Sequence, residues 1–410
     1  MTIILFAIPF FFLLIGIELI AEKWKGTHYY RVNDAVNSLS IGVLSRMTGI
    51  LKQLLPFTLY VIVYEHSALY SFSDSLWVWV VAFVLYDFFY YWNHRLGHEV
   101  SVLWAAHVVH HSSEEYNLTT ALRQTSGALL TWVFFLPLAV IGFDPMMIVS
   151  VAALNLVYQF WVHTRHVPKL GWFEWFFVSP SNHRVHHAQN EIYLDKNYGG
   201  VFIIWDRLFG TFQEELDSEA PIYGVRKSLN SWNPLWANMQ VYGQLISDSW
   251  HTARWQDKLR VWFGRTGWRP EDVAEKYPMQ LNDLQTFKKF DVQMDTATKW
   301  YAVFQLALSV VIAVMFMIGV QQLTLTEQVT LAGFMILSSA TLGWKLEMRP
   351  IANWLEGAKN LTVLMAGIFL PVATWLSVTL VVLSAICLVL LALSALGGDH
   401  STQEKSLPAE

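Results

Sequence analysis

Apolar stretches long enough to cross a lipid bilayer recur along this 410-residue chain. The first is IILFAIPFFFLLIGIELI at 3–20, and others lie at about 37–63, 75–92, 126–142, 145–162, 300–320, 326–343 and 361–397. A helix of about 20 apolar residues spans the hydrocarbon core. Only 14% of the residues are charged, against about 25% in soluble domains. We therefore expect an all-α polytopic membrane protein with about eight or nine transmembrane helices.

Most of the charge lies between the two apolar blocks, in a Trp-rich section from about 163 to 298. The GFDP sequence at 142–145 predicts a turn between two apolar stretches. The last stretch contains Pro371, so two short spans and one span with an interfacial piece both fit it. We divide the chain into N-terminal membrane helices (1–84), a histidine-rich region (85–230), a polar cytosolic connector (231–298), C-terminal membrane helices (299–397) and a disordered tail (398–410).

Basic residues after the first apolar stretch predict the orientation of the chain. Lys23, Lys25 and Arg31 follow that stretch, so the positive-inside rule places residue 25 in the cytoplasm. The start MTIILF lacks the basic region of a secretory signal, and we therefore expect an uncleaved first helix. Two further hairpins return the chain to the same side near residues 93 and 163. This predicts a cytosolic, histidine-rich helical cap on a bacterial inner membrane or an endoplasmic reticulum membrane.

The composition excludes several classes of function. The chain has no basic block, so nucleic-acid binding is not expected. Its one cysteine, Cys387, lies in an apolar run, which excludes disulfides and cysteine metal sites. A bound metal must therefore use imidazole or carboxylate ligands.

Ten of the 14 histidines fall in four short groups. Spacings of three and four residues place imidazoles on one face of a helix. Clustered imidazoles stay neutral when a cation binds them, and four to six ligands fill the shell of one ion, so this set suits two ions. Imidazole binds iron, zinc and copper alike, which leaves the metal open. The groups are His94 and His98; His107, His110 and His111; His163 and His166; and His183, His186 and His187.

Three other uses of the histidines are weaker fits. A bis-histidine haem needs two facing histidines inside the bilayer, and a zinc peptidase needs HExxH, which does not occur. A metal carrier or sensor would need ionisable groups within the spans, where Glu18 and Asp87 are the main ones. A redox pair of irons just beneath the membrane surface would instead suit oxidation of a lipid that enters from the bilayer.

The histidine boxes HRLGH (94–98), HVVHH (107–111) and HRVHH (183–187) resemble those of the fatty acid hydroxylase/sterol desaturase superfamily of membrane di-iron enzymes. Within it, HSSEEYNLTTALRQ (111–124) and DKNYGGVFIIWDRLFGTF (195–212) are most similar to the alkylglycerol monooxygenases. The resemblance covers about 85–230 and is weaker in the flanking helices. It implies oxidative cleavage of glyceryl ethers to a fatty aldehyde and glycerol, with two iron ions, dioxygen and tetrahydrobiopterin as reductant.

The same resemblance carries metal-ligand roles onto nine positions: His94, His98, His107, His110, His111, His163, His183, His186 and His187. His166 departs from the usual spacing and is left as a candidate to support the ligands rather than as one of the nine, with its own ligand role undecided. Glu99, Glu114 and Glu115 are candidates to orient imidazole N–H groups. Asn197 and Tyr198 are candidates to position a substrate or an iron-bound water, or they cap a turn at Gly199 and Gly200. Asp206 and Arg207 are expected to form an ion pair beneath the site.

Two alternative functions stay open, one within the superfamily and one outside it. One is a sterol or fatty-acyl hydroxylase or desaturase, which would take electrons from a cytochrome or ferredoxin-type protein. The other is a histidine-rich membrane protein that merely binds metal. The chain has no fused cytochrome domain, which favours a diffusible reductant. The sequence does not fix the oligomeric state.

Overall fold

The computed structural model describes residues 2–52, 54–127, 130–370 and 373–403. Its regular structure in these ranges is helical, with only three isolated backbone bridges outside the helices, so the all-α expectation is confirmed. The α-helices in chain order are α1 (Thr2–Lys25), α2 (Val32–Lys52), α3 (Leu54–Ser67), α4 (Leu76–Glu99), α5 (Ser101–His111), α6 (Leu118–Ala121), α7 (Leu136–Ile141), α8 (Pro145–Trp161), α9 (Pro180–His186), α10 (Ile204–Phe209), α11 (Pro234–His251), α12 (Trp255–Phe263), α13 (Glu271–Lys276), α14 (Thr296–Gly319), α15 (Leu325–Leu346), α16 (Pro350–Phe369) and α17 (Thr374–Gln403).

Four helices of the described residues have the length and hydropathy of membrane spans: Ile3–Lys25, Thr296–Gln322, Leu325–Leu346 and Thr374–Leu396. The chain is therefore an integral membrane protein. The stretches expected at 126–142 and 145–162 form shorter apolar helices, Thr131–Ile141 and α8. At 1.5 Å per residue, the 17 residues of α8 extend about 26 Å, less than the ~30 Å hydrocarbon core. The total of eight or nine spans stays a prediction.

Two other apolar stretches are each divided between helices. The stretch at 37–63 is shared by α2, which ends at Lys52, and α3, which begins at Leu54. The stretch at 361–397 falls in α16 and α17, and the predicted break at Pro371 lies outside the described residues. Helix α17 continues to Gln403, and residues 404–410 of the predicted tail also lie outside them.

The chain divides into two compact units, of which the first contains Met1–Tyr30, Gly49–Leu229 and Asn238–Lys288. Its apolar core joins α3, α4, α7 and α8 through Tyr60, Tyr86 and Leu138, among others. The predicted GFDP turn is confirmed. Gly142 has φ +113°, and a Cβ there would lie 1.9 Å from the Tyr70 carbonyl oxygen, so only glycine fits. Asp144 then caps α8 by accepting from the backbone N–H of Met146 at 2.7 Å.

A sharp turn between α4 and α5 brings the first two histidine boxes together. Val100 ends one helix and begins the next in an extended conformation. It pairs with Arg265 in an isolated bridge, and Ser101 N–H donates to the Gly264 carbonyl at 3.1 Å. Because the chain reverses within one residue, the end of α4 faces the following helix, and the two pack together.

The second unit contains Arg31–Thr48, Asn230–Ala237 and Lys289–Glu410. Its helices α14 to α17 bury more ionisable groups than the sequence suggested. Lys359 Nζ lies 2.6 Å from both carboxylate oxygens of Glu356, and Tyr301 donates to the same carboxylate. Lys345 Nζ donates to Asn353 at 2.9 Å. Pairing of this kind is what buried charges require in an apolar bundle.

Candidate metal centre

Nine histidines of the first unit lie in two compact groups. Within each group, one nitrogen of every imidazole lies within 4.8 Å of the corresponding nitrogens of the others. The five-histidine group contains His94, His98, His107, His111 and His186, and the four-histidine group contains His110, His163, His183 and His187. These are the nine positions that the resemblance singled out. His166 belongs to neither group, and its ring packs instead on Tyr29 with centroids 5.0 Å apart.

The two HxxHH boxes are interleaved between the groups. Helix α5 gives its first and third histidines to the five-histidine group and His110 to the other. The box of α9 does the reverse, since His186 alone joins the five-histidine group. The rings of His111 and His187 stack between the groups, with centroids 4.2 Å apart. Both helices are therefore shared by both groups.

Backbone carbonyls fix the orientation of four imidazoles. The Nδ1 of His94 lies 2.8 Å from the Tyr198 carbonyl oxygen, and that of His110 lies 3.0 Å from the Arg123 carbonyl. His163 Nδ1 pairs with the Gln159 carbonyl at 2.8 Å, and His186 Nδ1 pairs with the Lys196 carbonyl at 2.9 Å. A carbonyl oxygen can only accept a hydrogen bond, so the Nδ1 of each of these four rings carries the proton. Each Nε2 is then unprotonated and has a free lone pair.

Glutamates were expected in this orienting role. Glu99 accepts from Arg95 Nε at 3.0 Å, and Glu114 accepts from the Ser228 hydroxyl at 3.0 Å. An orienting role for these two glutamates and for Glu115 stays a prediction. The carbonyls of the helix and loop backbone orient these four rings.

One pair of imidazoles tests whether these residues fit a metal. The Nε2 atoms of His110 and His163 face each other at 3.2 Å, although both rings carry their proton on Nδ1. Two lone pairs at this separation repel, and a shared cation would turn the repulsion into two bonds. Ligands about 2.1 Å from one ion and about 90° apart would be about 3.0 Å from each other. Other pairs have similar spacings: His94 to His107 is 3.0 Å and His183 to His163 is 3.1 Å.

Unpartnered nitrogens support the same fit. In the part of the chain that the structure describes, the buried Nε2 atoms of His98, His186 and His187 have no hydrogen-bond partner. Eight of the nine histidines are buried, and His107 is half-buried. Burial lowers the pKa of all nine imidazoles, to about 3 for His94 and about 4 for His110. The rings are therefore neutral at physiological pH, which is the form that binds metal.

We expect the metal-free protein to lose stability as the pH falls below about 6.5. Histidines of the unfolded chain take up protons near that pH, whereas the buried rings stay neutral down to the lowered pKa values of about 3 for His94 and 4 for His110. The unfolded state then binds more protons, and each such ring costs about 1.4 kcal/mol per pH unit. The thermal unfolding midpoint of metal-free protein in detergent should be lower at pH 5.5 than at pH 7.5. Equal midpoints would contradict this.

The start of α9 is fixed by local sequence. Ser179 and Asn182 form a reciprocal capping box, and Pro180 occupies the first helical turn. Arg184, inside the HRVHH box, makes a two-pronged ion pair with Glu215 at 2.8 and 2.6 Å. The same guanidinium donates to the Thr164 carbonyl, one residue beyond His163. Arg184 thus ties the third box to the fourth.

The NYGG sequence serves the five-histidine group through its backbone. Asp206 accepts from the N–H groups of Tyr198 and Gly199, both at 2.7 Å, and so fixes the carbonyl that orients His94. The expected ion pair with Arg207 is not formed between these two described side chains, since Arg207 donates to the Glu174 carbonyl at 3.0 Å. A buried carboxylate with three donors, including Thr211, has no need of the guanidinium.

The candidates Asn197 and Tyr198 differ in how their side chains are used. Asn197 donates to the carbonyls of Asn182 and Gln213 and accepts from the Gln213 N–H, at 2.7–3.0 Å. Its φ of +57° suits asparagine in a tight turn. The Tyr198 hydroxyl, by contrast, is buried and has no hydrogen-bond partner among the described residues, and its ring lies 5.3 Å from that of His98.

Glu18 is a positioning residue to which the sequence assigned no role. It lies near the end of α1, is 5% exposed, and accepts from the Leu118 N–H at 2.9 Å. The hydroxyls of Tyr30 and Thr164 donate to the same carboxylate. Thr164 is adjacent to His163, so one acidic residue in an apolar helix ties a histidine-bearing segment to the start of α6. A lone acidic residue in a membrane stretch is the signal that points to such a site.

Comparison with known proteins agrees with the geometry. The fatty acid hydroxylase family model matches residues 79–211. Alkylglycerol monooxygenase of Homo sapiens is 36% identical over 394 residues, which cover 93% of this chain and 87% of the human protein. The enzymes of that name from Xenopus tropicalis and Danio rerio are 35% and 34% identical, over 85% of this chain and 78% and 79% of their own lengths. No solved structure matches the chain significantly.

These matches establish the type of protein. The fatty acid hydroxylase family is known for iron-dependent hydroxylation, and the chain is a membrane-bound oxidoreductase that uses dioxygen and a reductant on a lipid. The sterol desaturase and metal-carrier alternatives are not favoured. Because the identity to full-length relatives exceeds one third over most of the sequence, this chain belongs to the alkylglycerol monooxygenase family.

Proposed function

We propose that this protein cleaves the ether bond of alkylglycerols, with two iron ions held by the nine histidines and a reduced pterin as electron donor. The observation that carries the metal assignment is the facing pair of unprotonated nitrogens on His110 and His163. The ether substrate is inferred from the relatives named above. We further propose that the histidine groups face the cytoplasm and that shorter helices such as α8 complete a set of eight or nine membrane segments.

The two irons would supply activation of dioxygen for attack on a C–H bond beside the ether oxygen. One oxygen atom enters that bond, and the other leaves as water with two electrons from the pterin and two protons. The resulting hemiacetal breaks its C–O bond to give a fatty aldehyde and free glycerol. The residues of this chain keep the nine imidazoles neutral, fix their orientation through backbone carbonyls and exclude water by burial.

We assign the Tyr198 hydroxyl to proton donation at the leaving glycerol oxygen. The hydroxyl is buried, and no described residue hydrogen-bonds to it by distance and angle, although it interacts electrostatically with the nearby Asp195 carboxylate. A bound substrate oxygen would give it a partner. Burial and the nearby charge of Asp195 raise the pKa of Tyr198, which keeps the phenol protonated. Its ring also lies 6.0 Å from that of His94 and 5.9 Å from that of His186. A donor at this place would serve hemiacetal breakdown.

We expect Tyr198→Phe to lower kcat about 100-fold, the lower end of the range for general acid catalysis, with no loss of iron. The matched control is Tyr116→Phe, since Tyr116 is also buried beside the histidines but donates to the Val162 carbonyl at 2.9 Å. The measurements are kcat for aldehyde release and iron per chain. Equal kcat in the wild type and in Tyr198→Phe would show that the Tyr198 hydroxyl does not donate the proton.

The function is tested with purified protein in lipid nanodiscs. Iron per chain is measured first, and aldehyde release from an alkylglycerol is then followed with and without tetrahydrobiopterin. We expect two irons and pterin-dependent aldehyde. Two irons without aldehyde, but with oxidation of a sterol or fatty-acyl lipid, would keep the metal assignment and reject the ether substrate. Bound zinc with no oxygen consumption on any of these lipids would reject both.

A further inference from the structure

Large apolar side chains project outward from two short segments that adjoin the metal centre. Trp172, Trp175 and Phe176 are 74%, 62% and 56% exposed, and Leu208 is 70% exposed. We call residues 171–178 and 201–209 the aromatic ledge. A soluble protein rarely leaves such side chains contiguous and uncovered.

The charged side chains of the ledge are withdrawn from its surface. Glu174 and Asp206 are buried. Arg207 is half-buried, and its guanidinium carbon lies 4.7 Å from the centroid of the Trp175 ring and 3.7 Å from that of Phe212. The outward face of the ledge is therefore apolar and aromatic.

The backbones of the two ledge segments are paired. Val178 N–H donates to the Val201 carbonyl at 2.8 Å, and Ile203 N–H donates to the Phe176 carbonyl at 3.0 Å. The Glu174 carboxylate accepts from the Leu170 N–H at 2.9 Å. Irregular backbone is tolerated at membrane depth only where its polar groups find partners in the protein.

The second ledge segment lies along the apolar part of α4. Asp87 of that helix accepts from the N–H groups of Val201 and Phe202 at 2.9 and 3.0 Å, and from the Trp205 indole at 3.0 Å. Ring contacts run from Phe83 with Phe202, at 6.2 Å, to Trp92 with Phe209, at 5.0 Å. Residues 83–92 of α4 rise about 14 Å, within the stretch expected to lie in the membrane.

We propose that the aromatic ledge is a bilayer-contacting surface, immersed at the boundary between headgroups and acyl chains. Lipid is the occupant because the ledge packs on α4, and α4 and its neighbour α8 also expose large apolar side chains that need lipid. Leu76 and Trp77 of α4 are 76% and 77% exposed, and Met146 of α8 is 62% exposed. Tryptophan is enriched at this depth of a membrane, where its ring meets both apolar and polar surroundings.

The sequence predicts that residues 163–298 form a polar section outside the membrane. Under this proposal, two segments of that section lie at the membrane boundary. Phe176 lies four residues before Pro180, where α9 begins, and Tyr198 lies three residues before Val201. The bilayer surface would thus reach the segments that carry the fourth histidine box and the Tyr198 hydroxyl. The proposal does not depend on the ether substrate, because depth is measured without turnover.

The test is spin labelling of the full-length protein in phosphatidylcholine nanodiscs. Cys387 is the one native cysteine and is buried, so a Cys387→Ser background allows single labels. Labels are placed at Trp172→Cys and Leu208→Cys, with Asp217→Cys as the matched control because its side chain is 96% exposed, although it lies 3.0 Å from Lys169 Nζ. Collision rates are measured with dioxygen, which concentrates in lipid, and with a water-soluble nickel chelate.

We expect both ledge labels to collide more with dioxygen than with the chelate, and the Asp217 label to show the reverse. Ledge labels as accessible to the chelate as the control would overturn the proposal. Labels shielded from both reagents, or broadened by a second label nearby, would assign the face to a second copy and also overturn it. Iron content shows whether each variant is folded, and Phe176→Cys replaces a position that fails this check.

Discussion

Replacing His183 with alanine is expected to lower monooxygenase activity at least about 1,000-fold, the effect of losing several kcal/mol of metal-based stabilisation. His183 belongs to the four-histidine group, and its Nε2 lies 3.1 Å from that of His163. Three imidazoles remain after the substitution, and no other histidine of the described residues lies in that group. We expect iron to fall from two per chain to one or fewer, measured by metal analysis of purified protein.

The matched control for this variant is His166→Ala. His166 is three residues from His163 in the same sequence box, but its ring lies on Tyr29 and outside both groups. It should keep two irons and most of its activity. Full activity in the His183 variant, or an equal loss in both variants, would be incompatible with the proposed ligand set.

Removal of the Asp206 carboxylate is expected to have the next largest effect. In Asp206→Ala, the buried N–H groups of Tyr198 and Gly199 lose their acceptor, at about 1–3 kcal/mol each. The Tyr198 carbonyl that orients His94 then loses its support. We expect the free energy of unfolding of Asp206→Ala to be about 4 kcal/mol lower than that of the wild type. Iron should bind the five-histidine group about 10- to 100-fold more weakly, as for other outer-sphere changes.

Two comparisons make the Asp206 result specific. Asp206→Asn keeps one acceptor oxygen and should fall between wild type and the alanine variant in both measurements. Asp217→Ala removes an exposed carboxylate and should change neither. Thermal unfolding and competition with an iron chelator provide the two readouts. An alanine variant with the wild-type unfolding midpoint and iron affinity would show that the Asp206 hydrogen bonds are dispensable.

The histidine positions could be predicted from sequence because their spacing is a local property of a helix. The division of His107, His110 and His111 between two groups could not. It depends on how α5 and α9 face each other in the folded chain. The start of α5 is fixed by the turn at Val100, whose contacts lie more than 160 residues further along the chain. The resemblance supplied the set of nine, and the folded chain supplies its division into five and four.

The carboxylates that support the site were the least predictable part. Glu18 contacts Leu118 and Thr164, which lie 100 and 146 residues further along the chain. Asp206 was expected to pair with its neighbour Arg207, because adjacent opposite charges look like an ion pair in sequence. The buried backbone N–H groups of the NYGG turn need an acceptor more than the partly exposed guanidinium does, since Arg207 also packs on aromatic rings.

For the short helices near 126–161, hydropathy also does not predict whether they cross the membrane. An apolar run of 17 residues indicates a membrane location but does not distinguish a full crossing from a partial one. The structure shortens the first of these runs because residues 131–135 adopt a 3-10 turn before α7. Hydropathy and length therefore do not decide which of these helices cross the bilayer.

The interleaving of α5 and α9 limits how this active site could change during evolution. Loss of either HxxHH box would remove two ligands from one group and one from the other, so neither group would survive intact. Deleting either HxxHH box therefore would not leave one group whole, because each of these two boxes contributes to both groups, whereas His94 and His98 belong to the five-histidine group alone. Gain of the centre faces the same condition in reverse. If the nine histidines hold two ions as proposed, ligands on both helices would have to be in place before either ion could be well held. This would favour retention of the whole set over gradual loss of its parts.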